Sequence, residues 1–253
     1  AGVTRIKKDM SKTSIKVISL GYLPVDFDRK LIKSLKSKLF QIHHEFESYS
    51  LSTDSDLPDW GYSDENILKS IPGRGDEDIL IALTTVPLED NYYTRRFKNN
   101  TVVFTFHEIS DYLRFENIPI ENVIKRLIYS YCLVFLRSRR EIPVNKDITD
   151  FTHDETRGCI YDMNGLKEDI IHSCHNPQIC DDCTQRLLSE TVASEIVNKA
   201  KSEIKKIKKT LYFRILDWVK KHPILAIIFS SLWAVTLGVC GSFIYALIFS
   251  NSQ

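Results

Sequence analysis

Residues 223–249 read PILAIIFSSLWAVTLGVCGSFIYALIF and contain no charged side chain. A helix crossing the hydrocarbon core of a bilayer needs about 20 apolar residues, and this run exceeds that. Pro223 suits a first helical turn, where its missing N–H leaves nothing unsatisfied. Trp218 lies just before the run, where an interfacial aromatic belongs. The stretch predicts a single transmembrane helix close to the end of the sequence, a tail-anchored arrangement with the membrane as partner. Lys220 and Lys221 immediately precede it, with Lys205, Lys206, Lys208 and Lys209 further back. Positive charge is retained on the cytoplasmic side, so the domain before the span is expected to face the cytoplasm.

The chain has 253 residues, 43% hydrophobic and 26% charged, close to ordinary globular usage. Its net charge of +1 gives no general field for nucleic acid, and none is expected as a partner. The first 17 residues lack an apolar segment of the secretory type. The six cysteines are therefore expected in a reducing compartment, where clustered thiols serve metals more often than disulfides.

The pattern before the span predicts an α/β fold. Residues 14–20 (SIKVISL) read as a strand. After Gly21, apolar positions Leu31, Ile32, Leu35 and Leu39 predict a helix over 26–40. Residues 48–64 read as a loop. Residues 78–86 (DILIALTTV) are apolar almost throughout, as expected for a central strand covered on both faces. Residues 101–106 form a third strand. Residues 120–136 predict an apolar helix that ends at Arg137, Arg139 and Arg140, cations that complement the helix dipole. Asn91, Tyr92, Tyr93, Arg95 and Arg96 form an aromatic-basic run, either the lining of a ligand groove or a solvated loop.

A long basic amphipathic helix is predicted over 184–221. Ala193, Val197, Ala200, Ile204, Ile207 and Leu211 alternate spacings of four and three. That stripe serves either self-association into a homo-oligomer or packing on the chain's own domain or on lipid. The implied organisation is a domain over 1–183, a linker helix over 184–222 and the span over 223–249.

Four of the six cysteines fall in the loop-rich stretch 141–183. Cys180 and Cys183 form C-x2-C, the spacing with which one knuckle chelates a tetrahedral zinc. Cys159 is the best third ligand. Asp154 and His153 compete for the fourth position, and His172, Cys174 and His175 are further candidates. Asp154, Glu155 and Arg157 form a polar cluster suited to orient the knuckle. A redox role for C-x2-C is disfavoured, because Asp181 and Asp182 beside it raise thiol pKa values.

On these residues the chain resembles the archaemetzincin-like family of zincins, roughly from Ser14 to Cys183. That family carries an HExxH helix and a third His, then H-C-x4-C, then C-x2-C, the later cysteines holding a structural zinc. Here His153-Asp154-x4-Cys159 stands at the H-C-x4-C position and Cys180-x2-Cys183 at the terminal pair. The opening strand and helix and the run DILIALTTVPLEDNYY also resemble the family's N-terminal layer. The resemblance implies an α+β zincin-like domain with a structural zinc bound by Cys159, Cys180 and Cys183, with Asp154 or His153. It also exposes a departure. Residues 128–135 (IYSYCLVF), on the helix that should carry HExxH, contain neither His nor Glu. A catalytic zinc needs three protein ligands and a general base.

The expected function is that of a non-catalytic recognition or regulatory module at the cytoplasmic membrane face, binding a protein, peptide or small ligand. Two alternatives remain open. One is an effector whose membrane helices oligomerise and perturb the bilayer on a trigger. The other is a metal-dependent hydrolase with an atypical site drawn from His107, Asp111 or His153.

Overall fold

The computed structural model describes residues 12–73, 75–145, 152–154 and 156–250. Arg74 and Glu155 lie outside them. Three strands rich in β-branched residues build the centre of a six-stranded mixed sheet: β1 (Thr13–Leu20), β4 (Ile79–Thr84) and β6 (Thr101–Thr105). The strand order is β2-β1-β4-β6-β5, where β2 is Phe40–Ile42 and β5 is Thr94–Phe97, while β3 (Ser48–Tyr49) also pairs with β1. Every pairing is parallel except β5 with β6. Every residue of β4 is buried.

Alternate side chains of the strands feed two cores. Ile15, Val17, Ile79, Ile81, Val102 and Phe104 join one cluster; Ile18, Leu20, Leu80, Ala82 and Val103 join the other. The second face is covered by Ile67 of α2 (Asp64–Lys69) together with Tyr62 and Leu88. The first is covered by α4 (Glu121–Arg137), which is buried along nearly its whole length. A helix buried on so many sides belongs to the core. Short helices α1 (Arg29–Lys33) and α3 (Ile109–Phe115) add Ile32, Ile109 and Leu113 to the same core.

Three expectations are corrected. The predicted helix over 26–40 stops at α1. Phe40 and Ile42 instead alternate as strand residues, paired with Thr13 and Ile15. The intervening Ser37 donates to Glu203 (2.6 Å) and accepts from the Leu39 amide (3.0 Å), which holds the backbone out of the helix. The run 91–96 is a solvated loop only in its first part, where Asn91 and Tyr92 are exposed. It enters β5, and the buried Arg95 lies across Asp64 of α2 with Nε 2.6 Å from Oδ1.

The third correction concerns 184–221. Instead of one linker helix there are three: α5 (Asp181–Ser189), α6 (Ser194–Ile204) and α7 (Leu211–Lys221). Thr191, at φ +72°, breaks the first from the second. Leu187, Val197, Ala200, Ile204 and Ile207 belong to the first core. From Val197 to Ile207 the heptad-like stripe is thus used within the chain's own domain, while Ala193 and Leu211 are exposed. Glu203 secures it: its carboxylate accepts from Ser37 Oγ, the Lys38 amide (2.9 Å) and Tyr129 Oη (2.8 Å), joining α6 to the β1–β2 edge and to α4.

The chain divides into two compact units, residues 1–208 and 209–253. The second comprises α7 and α8 (Pro223–Ser250). Residues Pro223–Ala246 of α8 have a mean hydropathy of 2.1 and are not buried within the protein, so α8 is long and apolar enough to cross a membrane.

Removing the Glu203 carboxylate leaves the Ser37, Lys38 and Tyr129 donors without their acceptor. Glu203→Ala is expected to lower stability by about 1–3 kcal/mol, read from urea unfolding of the full chain in detergent. Hydrogen exchange should rise first in α6.

Candidate metal centre

Among the described residues between α4 and α5 there is little regular structure, and two isolated β-bridges and one buried carboxylate shape them. His153 bridges Asp162, and Cys159 bridges Gln178. The second bridge is held by Ile160 N–H to Gln178 O and Gln178 N–H to Gly158 O, both 2.9 Å. Gly158 sits at φ +141°, a conformation that side-chain-bearing residues rarely adopt. Asp162 is almost fully buried. It accepts from Thr156 N–H and Oγ1, from Gly158 N–H (2.8 Å) and from Cys159 N–H (2.9 Å), closing 156–162 into a tight turn.

Cys180 is the N-cap of α5. Its sulfur accepts from the Cys183 amide at 3.4 Å, and Cys183 lies one turn in. A helix N-terminus favours a thiolate at this position. The turn and the cap bring four donors together: His153, Cys159, Cys180 and Cys183 offer one ligand atom each, all within 4.8 Å of one another. Cys159 and Cys183 are buried; His153 and Cys180 are half-buried.

The spacing can be compared with a zinc tetrahedron. With Zn–S about 2.3 Å and Zn–N about 2.0–2.1 Å, ligand atoms stand about 3.8 Å apart for S···S and about 3.6 Å for S···N. Cys159 Sγ and Cys183 Sγ are 3.9 Å apart, and Cys180 Sγ and His153 Nε2 are 3.5 Å apart. His153 Nδ1 lies 2.6 Å from the Asp154 carbonyl oxygen and 3.9 Å from Asp162 Oδ1. An N–H at Nδ1 donates to that carbonyl and leaves Nε2 as the bare donor facing the sulfurs. Outer partners of this kind fix the tautomer of metal-binding histidines.

Electrostatics favour a cation. The Cys183 thiol beside Cys159 outweighs burial and holds the Cys159 thiol down to about 5. The same pairing, with burial, pushes Cys183 well up, and burial raises Cys180. By themselves the three sulfurs support one thiolate. A bound dication stabilises all three and displaces their protons. Burial lowers the His153 pKa, but Cys159 and the Asp154 carbonyl more than offset this and raise it overall.

The sequence candidates divide accordingly. Cys159, Cys180, Cys183 and His153 come together. Asp154 is exposed and lies outside the group. Cys174 is fully buried, with its thiol raised to about 12 by desolvation, and neither it nor His172 or His175 joins the group. Asp162 escaped the sequence reading, because nothing in its local pattern marks a carboxylate whose partners are mainly backbone amides. The stretch holding the atypical-site candidates His107 and Asp111 is engaged elsewhere: Glu108 pairs with Lys167 (3.0 Å) and Asp111 with Arg114 (2.9 Å).

No protein-family model and no curated protein matches the sequence. Among solved structures, the chain is similar to the crystal structure of archaemetzincin from Methanopyrus kandleri. The identity is 12%, the match covers 73% of this chain and 98% of that one, and the TM-score is 0.44.

Asp162→Ala frees the turn that carries Cys159 and removes a charge near the His153 ring. Zinc affinity is expected to fall about 10–100-fold, measured by competition with a chromophoric chelator. Protons compete for the Cys180 and Cys183 sulfurs, so affinity in both proteins should also drop from about pH 7.5 to about pH 6.

Proposed function

We propose that the protein is a membrane-anchored, non-catalytic α/β module whose C-terminal layer is fastened by a structural zinc. His153, Cys159, Cys180 and Cys183 are the ligands. The module serves recognition or regulation of a protein, peptide or small-ligand partner at the cytoplasmic face. The carrying observation is the number and closeness of the donors. Four protein ligands saturate a tetrahedral zinc and leave no position for a reacting water, the arrangement of structural rather than catalytic sites. When bound, the metal supplies a cross-link and charge neutralisation. The residues do the rest: Cys159 and His153 hold the 152–163 turn, and Cys180 and Cys183 hold the first turn of α5, whose Leu187 reaches the core.

The absence of His and Glu from 128–135 of α4 agrees with this reading. Residues 128–135 are buried without exception. The length and apolar character of α8 support the anchor, and Lys220 and Lys221 before it support a cytoplasmic domain.

Elemental analysis of the full chain purified in detergent tests the metal. One zinc per chain, lost in Cys183→Ser and in His153→Ala, is the expected result. Two metals per chain would support the hydrolase reading instead. Carbonate washing of membranes should leave the protein in the pellet, and its release would refute the anchor.

A further inference from the structure

α7 has no buried residue. Leu211, Ile215, Trp218 and Val219 fall at i, i+4, i+7 and i+8, the positions of a single apolar face. They are 66%, 53%, 41% and 37% exposed. The other side carries Arg214, Asp217, Lys220 and Lys221. Asp217, the one acidic residue of the helix, pairs with Lys209 at 2.9 Å, so the polar side is cationic.

The helix ends where a change of direction is needed. His222 leaves helical geometry (φ −131°, ψ +59°), and Pro223 follows. A residue before proline is driven out of the α region. α8 restarts at once, with the Ala226 amide donating to the His222 carbonyl at 3.0 Å. Trp218 packs beside His222 and Phe229 across this corner, with ring centroids 5.8 and 6.1 Å away. A chain whose next helix spans the bilayer has its corner at the headgroups, so α7 starts within reach of lipid.

We propose that α7 lies in the membrane interface. Leu211, Ile215, Trp218 and Val219 enter the acyl boundary, and Arg214, Lys220 and Lys221 face anionic phosphate headgroups. An exposed apolar face with cations opposite is the composition of an interfacial helix. The inference rests on the spanning role of α8.

The far end of α7 discriminates. Over eleven residues an upright helix would lift Leu211 about 16 Å into water, whereas a flat one keeps it at the lipid. The full chain, carrying Leu211→Trp with Trp60→Phe, Trp218→Phe and Trp233→Phe, is reconstituted into phosphatidylcholine vesicles with about 30% phosphatidylglycerol. Phosphatidylcholine brominated near the headgroup end of its chains is the quencher for the probe at 211, and phosphatidylcholine brominated near the chain ends is the quencher for Trp233, which stands about 15 Å along α8 from Pro223. A second chain retains Trp233 alone. Quenching of the introduced tryptophan by about twofold or more, with protection from aqueous iodide, is expected. Adding Ile215→Asp and Val219→Asp should abolish it. If Trp233 is quenched while the probe at 211 stays open to iodide, the interfacial helix is refuted and the span stands. If neither is quenched, the span fails and the inference fails with it.

Discussion

The burial of β4 on both faces governs the rest of the structure. β1, β4 and β6 lie parallel, so each connection must cross over a face, and both faces need apolar cover. Ile67, Tyr62 and Leu88 supply one side. The other needs more than α4: Cys174, Leu187, Val197 and Ile204, all after the last strand, complete it. The C-terminal segment is therefore part of the core it covers. Glu203, half-buried against Ser37 and Tyr129, is its polar fastening.

The metal donors lie where ordinary secondary structure is least able to hold that segment. Between α4 and α5 the described chain contains only two single bridges and a 3-10 stretch, Lys167–Ser173. Such a segment orders few backbone hydrogen bonds against a large loss of conformational freedom. His153 and Cys159 sit near its middle, Cys180 at its end and Cys183 in the first turn of α5. A cation binding all four closes the loop at the two places where it returns to the core. Asp162 prepares one end by gathering the Thr156, Gly158 and Cys159 amides, and the α5 N-cap prepares the other.

What could be read from the sequence follows from how local each signal is. β1, β4, β6 and α4 are legible because continuous apolar runs leave few other fates. β2, β3 and β5 are short and exist through their partners; Phe40 and Ile42 read as the end of a helix until Thr13 and Ile15 pair with them. The C-x2-C pair is legible because both ligands lie on one turn. The choice of His153 over Asp154 is not, because adjacent residues point apart and the bridge from His153 to Asp162 decides which one faces the sulfurs.

The two amphipathic stripes show the same limit in another form. Val197, Ala200 and Ile204 on α6 and Leu211, Ile215 and Val219 on α7 share a helical spacing, so periodicity alone joins them into one helix. Their surroundings separate them. α6 carries Glu203, a carboxylate with three donors waiting in the folded domain, and its Val197, Ala200 and Ile204 are at most 2% exposed. α7 mixes aromatic and basic residues, ends at a proline-enforced corner and leads into α8. Periodicity states that a face is apolar. The polar residues on the same helix, and the element that follows it, determine what covers that face.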